Sequence, residues 1–216
     1  MVIAWLPFVA RMSMGEQARL AKNARPYRLR ARAAAMDRTR ERITRAAIDL
    51  HGTIGPAATT MSAVAERAGV TRATLYRHFA NEEALFAACS ADWLAANPRP
   101  DVMRWVAIED PARRLGVALL ELYAYYRATE RMRANLLHDI EVLPAPIRSG
   151  IAAFPSSVIP VLEQGWTESS GGPLRRAAIA LAVAFETWRS LATEGLPDDD
   201  AAELMVGFVT SIGATK

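Results

Sequence analysis

Between Thr60 and Phe79 the chain sets two short helical patterns on either side of one glycine, and few structures satisfy such a segment. The first pattern, Met61–Ala68, places Val64, Ala65 and Ala68 on one face. Gly69 follows, where a tight helix exit calls for the left-handed backbone that glycine adopts without strain. Thr71 is placed to cap a second helix, Arg72–Phe79, whose inward side carries Leu75 and Phe79. The alanines allow close approach of the two helices, and Val70 plugs the corner between them. Two short helices joined by a glycine-containing turn make a helix-turn-helix, whose second helix fits the DNA major groove.

The outward face of that second helix presents Thr71, Arg72, Thr74, Tyr76, Arg77 and His78, all able to donate hydrogen bonds to phosphates or base edges. Arg72, near the helix start, is the candidate for a base contact, with guanine as the matching base. Tyr76, His78 and the Thr60 hydroxyl are candidates for phosphate contacts. A buried Tyr/His pair on an ordinary helical hairpin is the plainer reading. The coincidence of turn, small-residue packing and polar face argues against it.

The rest of the chain is helical in pattern. Alternating stretches are scarce, and alanine and leucine dominate a sequence that is 51% apolar. Ile43, Ala47, Leu50 and Ile54 make one stripe on a helix over 37–54, ended by Gly55-Pro56. Asn81 caps a helix that runs to Asn97-Pro98. Further helices are expected from Pro111 to about Thr129, over about 131–140, over about 147–166 with a kink or split at Pro155 and Pro160, over 173–193, and over about 199–212. The expected architecture is all-α, about nine helices. Residues 1–36 would be a basic, flexible tail, 37–97 a DNA-binding domain with its connecting helix, and 98–216 a helical effector-binding and dimerisation domain.

Charge sharpens this division. Residues 1–36 carry seven basic groups against one acidic, 37–97 carry seven of each, and 98–216 carry twelve basic against fifteen acidic. The positive excess therefore sits at the N-terminal end, as suits an approach to a polyanion. The single cysteine, Cys89, allows no internal disulfide and has no metal-ligand spacing, which fits a reducing cytoplasm. The apolar stretch Val2–Ala10 is too short to span a bilayer, so no membrane partner is expected. No P-loop, nucleophile elbow, HExxH or paired Cys/His set is present, and His51, His78 and His138 are scattered. We therefore expect no enzyme, no catalytic residue, no metal and no cofactor. A small helical enzyme, and a helical interaction module that has lost DNA binding, remain the competing classes.

The run from about Asp37 to Trp93 resembles the DNA-binding domain of the TetR family of transcriptional regulators. The resemblance rests on Ala68-Gly69-Val70-Thr71, then Thr74-Leu75-Tyr76-Arg77-His78-Phe79, then Glu83-Ala84-Leu85. It implies a three-helix DNA-reading unit with a fourth connecting helix, a homodimer built on the last two long helices, and release of a palindromic operator by a small-molecule effector. Two positions depart from the family pattern: Glu82 stands where lysine is common, and His51-Gly52 where a Gly-Phe pair often follows the first helix.

The C-terminal half supplies candidates for both remaining roles. Leu174, Ala178, Leu181, Phe185, Leu204 and Phe208 are placed for a dimer interface, because the two helices bearing them are too apolar to stand alone. Tyr123, Tyr126, Trp166, Phe185 and Trp188, with His138 as polar anchor, are candidates for a pocket taking a hydrophobic or aromatic effector. Aromatics at helical spacing also make ordinary core, which is the competing reading.

Overall fold

The computed structural model describes residues 14–166 and 172–212, with side chains from residue 29 onward. Ten helices are present among the described residues, and no strand. They are α1 Met14–Thr53, α2 Met61–Arg67, α3 Arg72–His78, α4 Glu82–Ala96, α5 Val102–Val106, α6 Pro111–His138, α7 Ala145–Leu162, α8 Gly172–Ala182, α9 Phe185–Thr193 and α10 Asp198–Ser211. A 3-10 turn, Ile140–Val142, links α6 to α7.

Buried apolar residues fall into two clusters. One gathers Ile43, Ala47, Val64, Leu75, Phe79 and Leu85 from α1–α4 and the α3–α4 corner. The other gathers Trp105, Leu119, Tyr126, Leu162, Ile179 and Val209 from α5–α10.

Five features of the helices depart from the pattern. α1 begins at Met14, inside the segment expected to be a tail, and its described side chains up to Arg38 are exposed. No described side chain of that stretch is buried, so the helicity of residues 29–38 rests on the alanine and arginine propensity of the sequence and on continuity with the buried turns beyond it. α5 was not expected. Asp101 caps it by accepting from the Met103 amide at 3.0 Å, and the buried Trp105 donates to Glu121 at 2.9 Å. α6 runs through the expected break near residue 130, because Thr129 turns its hydroxyl back onto the Tyr125 carbonyl, 2.6 Å, without leaving the helix.

α7 carries both Pro155 and Pro160 yet stays one helix. Ser156 and Ser157 donate to the carbonyls of Ala152 and Phe154 in the same turns. By length and composition α7 is also the one described helix apolar enough to cross a bilayer. Phe154, Val158 and Leu162 pack it into the C-terminal core.

The expected long helix over 173–193 is instead broken between α8 and α9, where Ala184 takes an extended conformation. The cause lies on α6. Tyr123 donates to the Ala182 carbonyl at 2.8 Å and Tyr126 to the Val183 carbonyl at 2.6 Å. Each hydroxyl satisfies a backbone oxygen at the break, so a buried helix interruption costs little. Burial pushes both phenols above their ordinary range, Tyr126 to about 12, so they stay protonated donors.

Arg114 performs a similar service elsewhere. Its buried guanidinium donates to the carbonyls of Ile108, Glu109, Val161 and Gln164, joining the α5–α6 loop to the end of α7. Arg127 forks onto Asp198 at 2.8 and 2.7 Å, and Trp188 donates to the same carboxylate, fixing the start of α10 against α6 and α9.

Tyr126→Phe removes one donor and leaves the Val183 carbonyl buried and unpaired. We expect it to lower unfolding stability by about 1–3 kcal/mol in a denaturant titration. A loss below about 0.5 kcal/mol would show that the break does not depend on this bond.

Candidate nucleic-acid interface

The turn between α2 and α3 is built as its residues demand. Gly69 sits at φ +63°, and a Cβ placed there would meet nothing within 4 Å. The requirement for glycine is therefore conformational rather than steric. Thr60 caps α2 by accepting from the Ala63 amide at 3.1 Å. Thr71 caps α3 by accepting from the Thr74 amide at 3.1 Å, and its hydroxyl donates to Thr74 Oγ1 at 3.0 Å. Leu75 and Phe79, 0% and 2% exposed, anchor α3 to α1 and α2.

With those two buried, the rest of α3 is presented outward. Thr71, Arg72, Tyr76 and Arg77 are exposed, while Thr74 and His78 are half-buried. Six of the seven sequence candidates thus lie on or directly before α3, and Thr60 stands exposed at the start of α2.

α1 braces this unit with its arginines. Arg40 lies over the Phe79 ring, 4.1 Å from its centroid, and donates to the His78 carbonyl at 2.9 Å. This places a cation at the last turn of α3, favourable for its dipole. Arg42 reaches the Gly69 carbonyl at 3.5 Å, and Arg67 pairs with Asp49. Partial burial, with Arg77 and Arg40 nearby, holds the His78 ring below its ordinary pKa and favours its neutral form.

Glu82, at the position where a lysine was noted as common, is exposed in the first turn of α4 behind the Asn81 cap. There its charge complements the helix dipole.

The sequence did not reveal how the reading unit is held to the body. Asn135 on α6 donates to the His51 carbonyl at 2.9 Å, and Asp139 accepts from the Ala57 amide at 2.9 Å. Gly55, at φ +85°, is where the chain passes this carboxylate, and a Cβ on it would fall 2.5 Å from Asp139 Oδ2. Above these bonds His51 stacks on Phe86, ring centroids 4.5 Å apart, with Nδ1 3.8 Å from the Cys89 thiol. Burial lowers the His51 pKa to about 4 and pushes the Cys89 thiol up to about 12. Both are therefore neutral packing groups near neutral pH. The only available signal was the departure at His51, since its partners lie on α4 and α6, far away in sequence.

The other predicted sites fare unevenly. Tyr123, Tyr126, Phe185 and Trp188 do come together, but as core, with Phe185 against Tyr126 at 5.5 Å and Trp188 at 5.6 Å. Their polar atoms are spent on backbone carbonyls and on Asp198. Trp166 lies apart, donating to the Leu162 carbonyl beneath Arg175, and the His138 side chain is 88% exposed. Among the dimer candidates, Leu174, Leu181, Leu204 and Phe208 are exposed on α8 and α10, whereas Ala178 and Phe185 are buried in the chain's own core.

A three-helix unit with a capped, outward third helix, fixed to an all-helical body, is a helix-turn-helix fold. Residues 43–89 match the family model of bacterial regulatory proteins, tetR family. The whole fold is similar to a TetR-like transcriptional regulator from Rhodococcus sp. RHA1, at TM-score 0.59 and 18% identity over 82% of this chain and 97% of that one. It is also similar to AibR, solved with isovaleryl coenzyme A and operator DNA, at TM-score 0.57 and 22% identity over 79% and 97%. NalD of Pseudomonas aeruginosa, the secondary repressor of the MexAB-OprM multidrug efflux pump, matches at TM-score 0.55 and 22% identity over 82% and 96%. No curated protein matches by sequence. The family match thus covers residues 43–89, and beyond them the likeness to these regulators is one of fold.

The buried neutral His51 makes stability sensitive to acid. Its folded pKa lies below the unfolded value of 6.5, so the unfolded chain takes up the proton first as pH falls. Stability should be fully present above pH 6.5 and decline between 6.5 and about 4, by at most about 1.4 kcal/mol per unit from this group. Denaturant midpoints across that range should flatten in His51→Leu. An equally steep decline in that variant would place the sensitivity elsewhere.

Proposed function

We propose that the protein is a transcriptional repressor that binds a palindromic DNA operator in the cytoplasm as a homodimer and releases it on binding a small hydrophobic or aromatic effector. The observation that carries this reading is the face of α3. Arg72, Tyr76 and Arg77 stand exposed on a helix whose other side is locked into the core by Leu75 and Phe79. Arg72, one residue past the Thr71 cap, reads a guanine in the major groove in this proposal, which its exposed place at the start of α3 supports. Tyr76, His78 and the Thr60 hydroxyl serve phosphates, with Thr71, Thr74 and Arg77 on the same face.

The apolar face of α8 and α10 supports dimerisation. Leu174, Leu181, Leu204 and Phe208 are 69%, 51%, 52% and 45% exposed, which leaves large side chains in water unless a second copy covers them. Effector control works as a population shift. The bonds from Asn135 and Asp139 tie α6 to the reading unit, so a ligand that favours one placement of α6 or α4 resets the spacing of the paired α3 helices. Half-sites one turn apart, about 34 Å, accept only a matched dimer.

Two measurements test this reading. With a duplex selected from a random-sequence library, Arg72→Ala should weaken binding by about 1–3 kcal/mol and relax one base position. Tyr76→Phe should weaken binding less and evenly across sequences. Unchanged affinity in both, or no selectable duplex, would favour an interaction module without DNA binding. Separately, Leu204→Glu with Phe208→Glu should convert a dimer to a folded monomer in sedimentation equilibrium. A dimer that survives both charges would place the interface elsewhere.

A further inference from the structure

Four of the residues expected to form the sensor pocket, Tyr123, Tyr126, Phe185 and Trp188, are packed core, but a cavity of about 220 Å3 opens at the seam between the reading unit and the body. We propose that this seam cavity is a binding site for a small amphipathic carboxylate, with its apolar part inside and its carboxylate on Arg99. The inference deepens the effector-controlled reading above and rests on it.

Both halves of the molecule supply the walls. α1 contributes Ile48 and His51, and α4 contributes Phe86 and Trp93. The body contributes Met132 and Leu136 from α6 and Ile147 from α7. Apart from the His51 ring, which stacks on Phe86, these are apolar or aromatic surfaces. Sites for drug-sized ligands run to roughly 300–1,000 Å3, so this one suits a smaller molecule.

Arg99 fixes the chemistry of the head group. It lies on the linker between α4 and α5 and lines the cavity. Its guanidinium rests over Phe154, 4.6 Å from the ring centroid, and donates weakly to the Gly150 carbonyl at 3.4 Å. No aspartate or glutamate lines the cavity with it. The guanidinium is thus held at the mouth by a ring and a long bond, with no carboxylate of the protein among the lining residues. A planar, two-oxygen anion matches such a fork bidentately. A neutral ligand would forgo that interaction, and an ammonium would meet an opposing charge.

Gly150 leaves room at this point. A Cβ built there meets nothing within 4 Å, and the residue lies inside α7. A larger side chain at Gly150 can therefore enter the opening without displacing backbone, and replacing an interior helix glycine does not weaken the helix. Because the walls belong to both α1–α4 and α6–α7, an occupant touches the reading unit directly.

The test uses octanoate, 1-octanol and octylamine as probes on the full chain, read by titration calorimetry and by Trp93 fluorescence with Trp93→Phe as the control. Octanoate should bind more tightly than octanol by at least about tenfold, and octylamine least. Gly150→Leu should lose octanoate by at least about tenfold while still binding the selected duplex as the parent chain does. Arg99→Met should bring octanoate and octanol to equal affinity, with octanol unchanged. Octanoate binding that survives Gly150→Leu, a preference for octanol or octylamine, or no binding of any probe would overturn the proposal. Those results, with duplex binding intact, would leave the regulator reading standing. Loss of duplex binding in the parent chain would remove that reading instead.

Discussion

Two hydrogen bonds join the C-terminal end of α6 to the unit that carries α3. Asn135 holds the His51 carbonyl near the end of α1, and Asp139 holds the Ala57 amide in the loop before α2. Each backbone group is half of a position: one sets the end of α1, the other the start of the turn into α2. Gly55 is the steric counterpart, because any Cβ there would collide with the Asp139 carboxylate. The unit formed by α1–α3 is thus held to the body at the C-terminal end of α6.

The body is held together by polar groups as much as by apolar ones. Tyr123 and Tyr126 turn a broken helix into two fixed segments by bonding the carbonyls at the break. Arg114, buried without a carboxylate, spreads its donors over four carbonyls and ties two loops to α6. Charge buried in this way is tolerated only with its donors satisfied, and removal of the acceptors' geometry would leave it stranded. The aromatic cluster therefore belongs to the scaffold, while the cavity lies at its border with α1 and α4.

The helix-turn-helix was legible because everything it needs is local. Thr60, Gly69, Thr71, Leu75 and Phe79 lie within twenty consecutive residues, and caps, turn and buried face are each set by near neighbours. The body was less legible, since its boundaries depend on long-range partners. Nothing near Ala184 announces a break, which exists because two tyrosines on α6 reach it. Likewise a tyrosine or tryptophan at helical spacing reads the same whether it lines a pocket or fills a core. Only the destination of its polar atom separates the two, and for Tyr123, Tyr126 and Trp188 that destination is the protein itself. The exposed leucines of α8 and α10 followed from periodicity, but Ala178 and Phe185 on the neighbouring faces turn inward.

The distribution of charge places a further constraint on DNA affinity. Residues 37–97 are net neutral, and several of their cations have structural occupations. Arg40 is committed to Phe79 and the His78 carbonyl, Arg42 to the Gly69 carbonyl, and Arg67 to Asp49. Arg72 and Arg77 remain on α3, with Arg38 and Arg45 exposed on α1. Non-specific DNA affinity grows with the number of phosphates neutralised, so so small a set gives a shallow salt dependence per reading unit. The N-terminal turns of α1 carry the balance of positive charge, with Arg30 and Arg32 exposed on a helix continuous with the one that braces α3. A basic helix continuous with the reading unit presents its charge along the α1 axis, unlike a free tail. In the proposed complex the extension therefore contributes to binding only if that direction meets the duplex backbone, and base reading stays with Arg72.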